Sequence, residues 1–147
     1  MALTPEIKNR KASFEYSFIQ NYTAGLVLTG TEIKSVRLGK VNIAEAYAVF
    51  VKEELYIRNM DIGLYDQGSY NNHEPRRDRK LLLQHKELKK LLSKLKDKGL
   101  TIVPIKLFFN EKGYAKLDIA LAKGKKLYDK REDVKKRDIT REMAREQ

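Results

Sequence analysis

The sequence predicts a mainly β protein with helices (α+β), built as a small closed or nearly closed antiparallel barrel of about six strands. One flanking helix and a disordered C-terminal tail complete the expectation. Three observations carry it: apolar residues recurring with period two, one leucine stripe at helical spacing, and a charge-dense end poor in large aliphatic side chains.

Ala12 to Ile19 comes first. Phe14, Tyr16 and Phe18 alternate with Ser13, Glu15 and Ser17, which predicts a half-buried strand. Gln20 to Ala24 is mixed and reads as a turn or one helical turn. A strand resumes at Gly25 with Leu26 and Leu28, but Ile33 and Val36 fall out of its phase, so a bulge or bend is expected at Gly30. Asn42 to Glu45 has capping-box spacing and predicts a brief helical turn. Tyr47 to Val51 and Leu55 to Ile57 read as a hairpin tipped by Lys52, Glu53 and Glu54. Asp61 to Pro75, rich in Gly and Asn, reads as a loop that stays mobile without a partner.

Leu88, Leu91, Leu92 and Leu95 follow i, i+3, i+4, i+7 spacing and predict a helix over 85–98, stopped by Gly99. Leu100 to Phe109 and Tyr114 to Ala122 form a second hairpin around Asn110 to Gly113. The chain divides into a barrel over 1–122 and a basic hinge and tail over 123–147. In the tail, Glu132 with Lys136 and Asp133 with Arg137 are favourable i, i+4 pairs. Such pairs do not offset helix nucleation in water, so helix is expected there only when a partner recruits it.

At 147 residues the chain can bury one core without staples, and it has no cysteine for a disulfide or thiolate site. No apolar run near the N-terminus resembles a secretory signal, and no stretch approaches the roughly 18 apolar residues of a membrane span. A cytoplasmic protein is expected. Its formal net charge of +11 is unevenly placed. Residues 76–98 carry 10 basic and 3 acidic side chains, and residues 123–147 carry 10 and 6. Such concentration suits a phosphate backbone, with steeply salt-dependent binding.

Enzyme chemistry has little support. His73 and His85 have no acidic neighbour at motif spacing, and there is no phosphate loop, nucleophile elbow or HExxH. No catalytic residue, metal, cofactor or small-molecule substrate is expected. RNA binding fares better. Arg76, Arg77, Arg79 and Lys80 precede the apolar Leu81 to Leu83, Asn9 to Lys11 add further cations, and Tyr22 and Tyr128 stand beside cations where they could stack on unpaired bases, with core packing the equal alternative for Tyr22.

Several motifs together resemble the small protein B, or SsrA-binding protein, family. They are Asn9 to Ala12, Ala24-Gly25, Gly30 to Arg37, Gly39 through Asn42-Ile43, Arg79 to Leu83, and Gly124 to Lys126 through Asp129 to Arg131. The resemblance spans nearly the whole chain in the family's order. It implies an oligonucleotide-binding-like (OB-fold-like) barrel that grips the tRNA-like domain of transfer-messenger RNA (tmRNA). It further implies an adaptor delivering that RNA to the A site of stalled ribosomes for trans-translation, with the tail becoming helical in the empty mRNA channel. A ribosomal or rRNA-binding protein with the same barrel and basic tail is the other reading.

The resemblance implies an RNA surface of Tyr22, Thr23, Leu82 and Gln84, with Asn9, Arg10, Lys11, Lys34, Arg37, Arg79, Lys80, Lys123, Lys125 and Lys126 around it. Threonine at 23 and glutamine at 84 stand where the family often has glutamate and asparagine; both keep hydrogen-bonding ability. At the ribosome the implied residues are Tyr128, stacking on a decoding-centre base where some members have histidine, with Asp129, Lys130, Arg131, Lys135, Lys136 and Arg137 setting the tail's course.

Overall fold

The structure, a computed structural model, describes residues 6–66, 72–96 and 99–124. The chain order is β1 (Ile7–Lys8), α1 (Arg10–Glu15), β2 (Tyr16–Leu26), α2 (Gly30–Arg37), β3 (Val41–Asn42), β4 (Tyr47–Val51) and β5 (Glu54–Arg58). It continues with β6 (Asp61–Ile62), β7 (Arg79–Leu82), α3 (His85–Lys94), β8 (Leu100–Phe109) and β9 (Ala115–Gly124).

Six strands close a ring in the order β8-β4-β5-β7-β2-β9, with β9 pairing back to β8 and β1 added outside β8. All the pairings are antiparallel. Closure removes the free edges that would otherwise invite association. Inward residues of every ring strand meet in one core: Ala24, Ala48, Ile57, Leu81, Ile102, Leu117 and Ile119 are all buried. Each large aliphatic buried this way contributes about 1.5–3 kcal/mol. α3 lays Leu91, fully buried, with Leu88 and Leu95 on that core. Its exposed lysines, Lys86, Lys89 and Lys90, lie off the stripe.

The sequence-based expectations differ from the structure in identifiable places. Arg10–Glu15 is helical, because Asn9 caps it by accepting from the Ala12 N–H at 3.1 Å, and the strand begins only at Tyr16. β2 then runs unbroken to Leu26 through the predicted turn, absorbing a register shift between Phe18 and Gln20. Gly30–Arg37 is a helix, not a bent strand. Thr29 and Glu32 form a reciprocal capping box, and Ile33 and Val36 share a face. Asn42 makes a local turn by accepting from the Ala44 N–H at 2.9 Å. The β4–β5 turn is tighter than expected: Lys52 and Glu53, at φ 51° and 69°, make a two-residue connection of the I′ kind. Asp61–Ile62 pairs with Val41–Asn42. α3 stops at Lys94, with Leu95 as its cap.

Candidate nucleic-acid interface

Strand alternation decides which face each side chain serves. In β2, Tyr22, Ala24 and Leu26 point inward, leaving Thr23 and Gly25 outside. In β7, Arg79 and Leu81 point inward and Lys80 and Leu82 outward. In β9, Leu117, Ile119 and Leu121 are buried, while Lys116 and Asp118 face out.

The register turns these into rows. Gly25 lies opposite Leu82 on one side and Lys116 on the other. Thr23 lies opposite Asp118, which lies opposite Lys106 of β8. Thr23 donates its hydroxyl to Asp118 Oδ1 at 2.7 Å, and Lys106 Nζ stands 3.9 Å from Asp118 Oδ2. Leu82 can lie across Gly25 because glycine has no side chain there: a Cβ would meet Leu82 Cβ at 3.3 Å. Leu82 nevertheless keeps 51% of its surface exposed, unusual for a leucine in a sheet wall. Gln84, two residues further along the antiparallel direction, continues towards the Thr23 row and is exposed at the α3 N-cap.

Cations frame this face. Arg10 shares a hollow of about 290 Å³ with Lys106 and Asp118. Arg37 lies 5.2 Å above the Phe109 ring, and Lys34 lies 5.4 Å from the Tyr65 ring, so α2 presents both on the outside. Lys123 is exposed at the end of β9, where the strand continues two residues past the expected boundary at 122 by pairing with Ser17 and Leu100. Lys80 is half-buried beside Glu54 and ion-paired to it. Lys11 pairs with Glu45, away from the Asp118 row.

Three expected contacts are corrected. Arg79 is completely buried, so it presents no cation to a partner. Its Nε donates to Glu32 Oε2 at 2.6 Å, and its other nitrogens donate to the carbonyls of Met60 (2.7 Å), Glu74 (3.2 Å) and Pro75 (3.0 Å). It thereby ties α2 and the backbone at Met60, Glu74 and Pro75 to the barrel. Asn9 is buried too, donating to the carbonyls of Ile43 at 3.1 Å and Pro104 at 2.9 Å. Tyr22 is 8% exposed and lies in the core, so its ring is not a stacking platform. Burial raises the pKa of its hydroxyl, and the charge of Glu87 adds to this. Lys125, Lys126, Tyr128, Asp129, Lys130, Arg131, Lys135, Lys136 and Arg137 lie outside the described residues.

Glu32 is the partner that the sequence reading missed. Burial pushes its carboxyl up, but hydrogen bonds from Arg77, the Thr29 N–H and Arg79 outweigh this and hold it at about 2. Burial likewise loosens the Arg79 proton against the pull of Glu32, yet a guanidinium stays charged at any ordinary pH. Lys106, Lys116 and Asp118 were not singled out as interface residues, although Lys116 and Asp118 were expected on the face opposite Leu117, Ile119 and Leu121. Their alternation with Leu107, Leu117 and Ile119 was the available signal.

A closed antiparallel barrel carrying a cation-framed polar and apolar row on one outer face defines a nucleic-acid-binding barrel. The chain belongs to the SmpB protein family, whose match covers residues 6–147. It is 61% identical over 139 residues to the SsrA-binding protein of Cytophaga hutchinsonii, covering 95% of this chain and 91% of that one. It is 61% identical over 146 residues to that of Phocaeicola vulgatus, covering 99% and 97%. A more distant relative, the SsrA-binding protein of Moorella thermoacetica, is 50% identical over 137 residues, covering 93% and 88%. Among solved structures, a chain described under "tmRNA-SmpB: a journey to the center of the bacterial ribosome" superposes with a TM-score of 0.73 at 50% identity, covering 90% of this chain and 93% of that one.

Proposed function

We propose that this protein is an RNA-binding adaptor that carries tmRNA to stalled ribosomes for trans-translation. The observation that carries the reading is the outer row of Leu82, Gly25 and Lys116 beside Thr23, Asp118 and Lys106, on a barrel of the SmpB family. An exposed leucine flanked by hydrogen-bonding and cationic groups suits an RNA surface that is read by shape, with phosphates held at its edge. Arg10, Lys34, Arg37, Gln84 and Lys123 extend this surface, and Lys80 can join it by exchanging Glu54 for a phosphate. The barrel takes the tRNA-like domain. Residues 123–147 engage the small-subunit decoding centre and mRNA channel, with Tyr128 stacking and the basic residues following rRNA.

The chemistry of tagging then belongs to the RNA and the ribosome, and the protein supplies position alone. No helix among the described residues is long and apolar enough to cross a membrane. The cytoplasm, where ribosomes work, is the compartment this role requires.

The test separates the two parts. Deleting residues 132–147 should leave tmRNA affinity within about twofold while abolishing peptide tagging in a reconstituted stalled-translation assay. Loss of tmRNA affinity on deletion would refute the division of labour. Equal affinity of the full chain for tmRNA and for rRNA fragments of the same length would instead favour the rRNA-binding reading.

A further inference from the structure

The RNA face continues into a groove whose Tyr114 side the sequence motifs do not mark. It lies between the end of β2, β7 and the β8–β9 turn, has a volume of about 290 Å³, and is lined by Leu26, Val27, Leu28, Ile33, Leu82 and Tyr114, with Lys116 at its edge. Tyr114 is 65% exposed, and Val27 and Leu82, which flank it, are 42% and 51% exposed. Water-facing apolar surface gathered in one place marks a contact surface more often than scattered residues do.

The turn that presents Tyr114 is closed by hydrogen bonds centred on Asn110. Asn110 Oδ1 accepts from the Lys112 N–H at 3.0 Å and from the Tyr114 N–H at 2.9 Å. The Asn110 N–H donates to the Tyr114 carbonyl, and the Gly113 N–H to that of Asn110. Gly113 adopts φ +85°, open to glycine at little cost. Arg37 reaches this turn from α2: a Cβ built on Gly113 would lie 3.7 Å from its Nη2. The guanidinium is also steadied over Phe109. An exposed aromatic ring on a hydrogen-bonded turn, with Arg37 reaching the turn and Lys116 lining the apolar groove, meets the requirements for stacking an unpaired base. An apolar protein segment would fill the floor equally well, but it would leave Arg37 and Lys116 without anionic partners.

We propose that Tyr114 is a base-stacking residue: an unpaired nucleobase of the bound RNA enters this groove and stacks on its ring, while Arg37 and Lys116 hold the adjoining phosphates. The inference rests on the RNA-binding reading above and deepens it. It places an aromatic contact on the barrel itself, in the groove that Tyr114 shares with Leu82. The low cost of ordering a side chain on a hydrogen-bonded turn makes the contact contribute to affinity rather than only to fit.

The chain contains no tryptophan, so Tyr114→Trp installs a single fluorescent reporter at the site. Affinity of the full-length protein for transcribed tmRNA is measured for the unchanged chain, Tyr114→Ala, Tyr114→Phe and Tyr114→Trp. Phe14→Ala, which removes another highly exposed aromatic, serves as the control. Tyr114→Ala should lose roughly tenfold in affinity. Tyr114→Phe and Tyr114→Trp should stay within about twofold, as stacking requires only a ring, and the tryptophan emission should quench on saturation with RNA. Unchanged affinity of Tyr114→Ala, an equal loss in Phe14→Ala, or unaltered emission of Tyr114→Trp at saturation would each overturn the stacking role while leaving the adaptor reading intact. If the unchanged protein shows no preference for tmRNA over rRNA fragments, the adaptor reading itself fails, and the inference with it.

Discussion

Arg79 and Lys80 are neighbours in a run of basic residues, yet they serve opposite sides of one barrel wall. On the inner side, Arg79 is sealed against Glu32 and three backbone carbonyls, and Arg77 closes the cluster by donating to the same carboxylate at 2.7 Å. On the outer side, Lys80 and Leu82 stay accessible beside Gly25 and Lys116. The inner cluster does architectural work: it fixes α2, and therefore Lys34 and Arg37, relative to the outer face of the barrel. A cationic run in sequence is thus not a cationic patch in space. Strand alternation assigns every second member to the interior.

The contrast is broken most severely from the inside. Arg79→Met leaves a buried carboxylate short of a partner and frees the Met60, Glu74 and Pro75 carbonyls, so a loss of about 3–5 kcal/mol in stability is expected from urea unfolding. Arg79→Lys should not restore it, because a single ammonium cannot reproduce the planar fork of donors.

Acid offers a gentler probe of the same cluster. The folded-state pKa of Glu32 is depressed to about 2 from an ordinary 4.5. Its contribution is therefore complete above about pH 4.5 and is lost as the pH falls towards 2. Stability should fall by a few kcal/mol across that window, and Glu32→Gln, though less stable at neutral pH, should lack that portion of the slope.

The outer side should respond in the opposite currency. Leu82→Ala, at a half-exposed position, should change stability by less than about 1 kcal/mol. The same substitution should weaken tmRNA binding about tenfold if Leu82 is a contact residue, a difference worth about 1.4 kcal/mol. A Leu82 variant that unfolds like the Arg79 variant, or binds like the unchanged protein, would erase the distinction between the two faces.

Much of the architecture was legible beforehand. The β8–β9 hairpin declared itself through the alternation of Lys116, Asp118 and Ala120 with Leu117, Ile119 and Leu121, and α3 through its leucines. The first forty residues misled for a physical reason. Phe14, Tyr16 and Phe18 alternate across a real boundary, where the Asn9 cap winds one side into a helix and β2 extends the other. The Thr29-to-Glu32 capping box was present in the sequence, but Gly30 suggested a bend in a strand. For the proposed interface, Thr23, Leu82 and Gln84 were expected from the family resemblance, and strand alternation turns Thr23 and Leu82 outward, whereas Tyr114 and Lys116 belong to a hairpin that no motif singled out. Their neighbours are set by the closed ring and not by local pattern.

The sequence by itself determined the periodicities, the charge segregation and the family likeness, because each is written in residues close along the chain. Only the tertiary structure decided that Arg79 is a buried tie while Lys80 remains outside, that Tyr22 packs in the core, and that Gly25 stands between Leu82 and Lys116. Those outcomes depend on ring closure and register, which bring together residues nearly a hundred positions apart, as in Asn9 with Pro104 and Thr23 with Asp118. Local pattern tells a side chain which way to point. It does not say what it will meet.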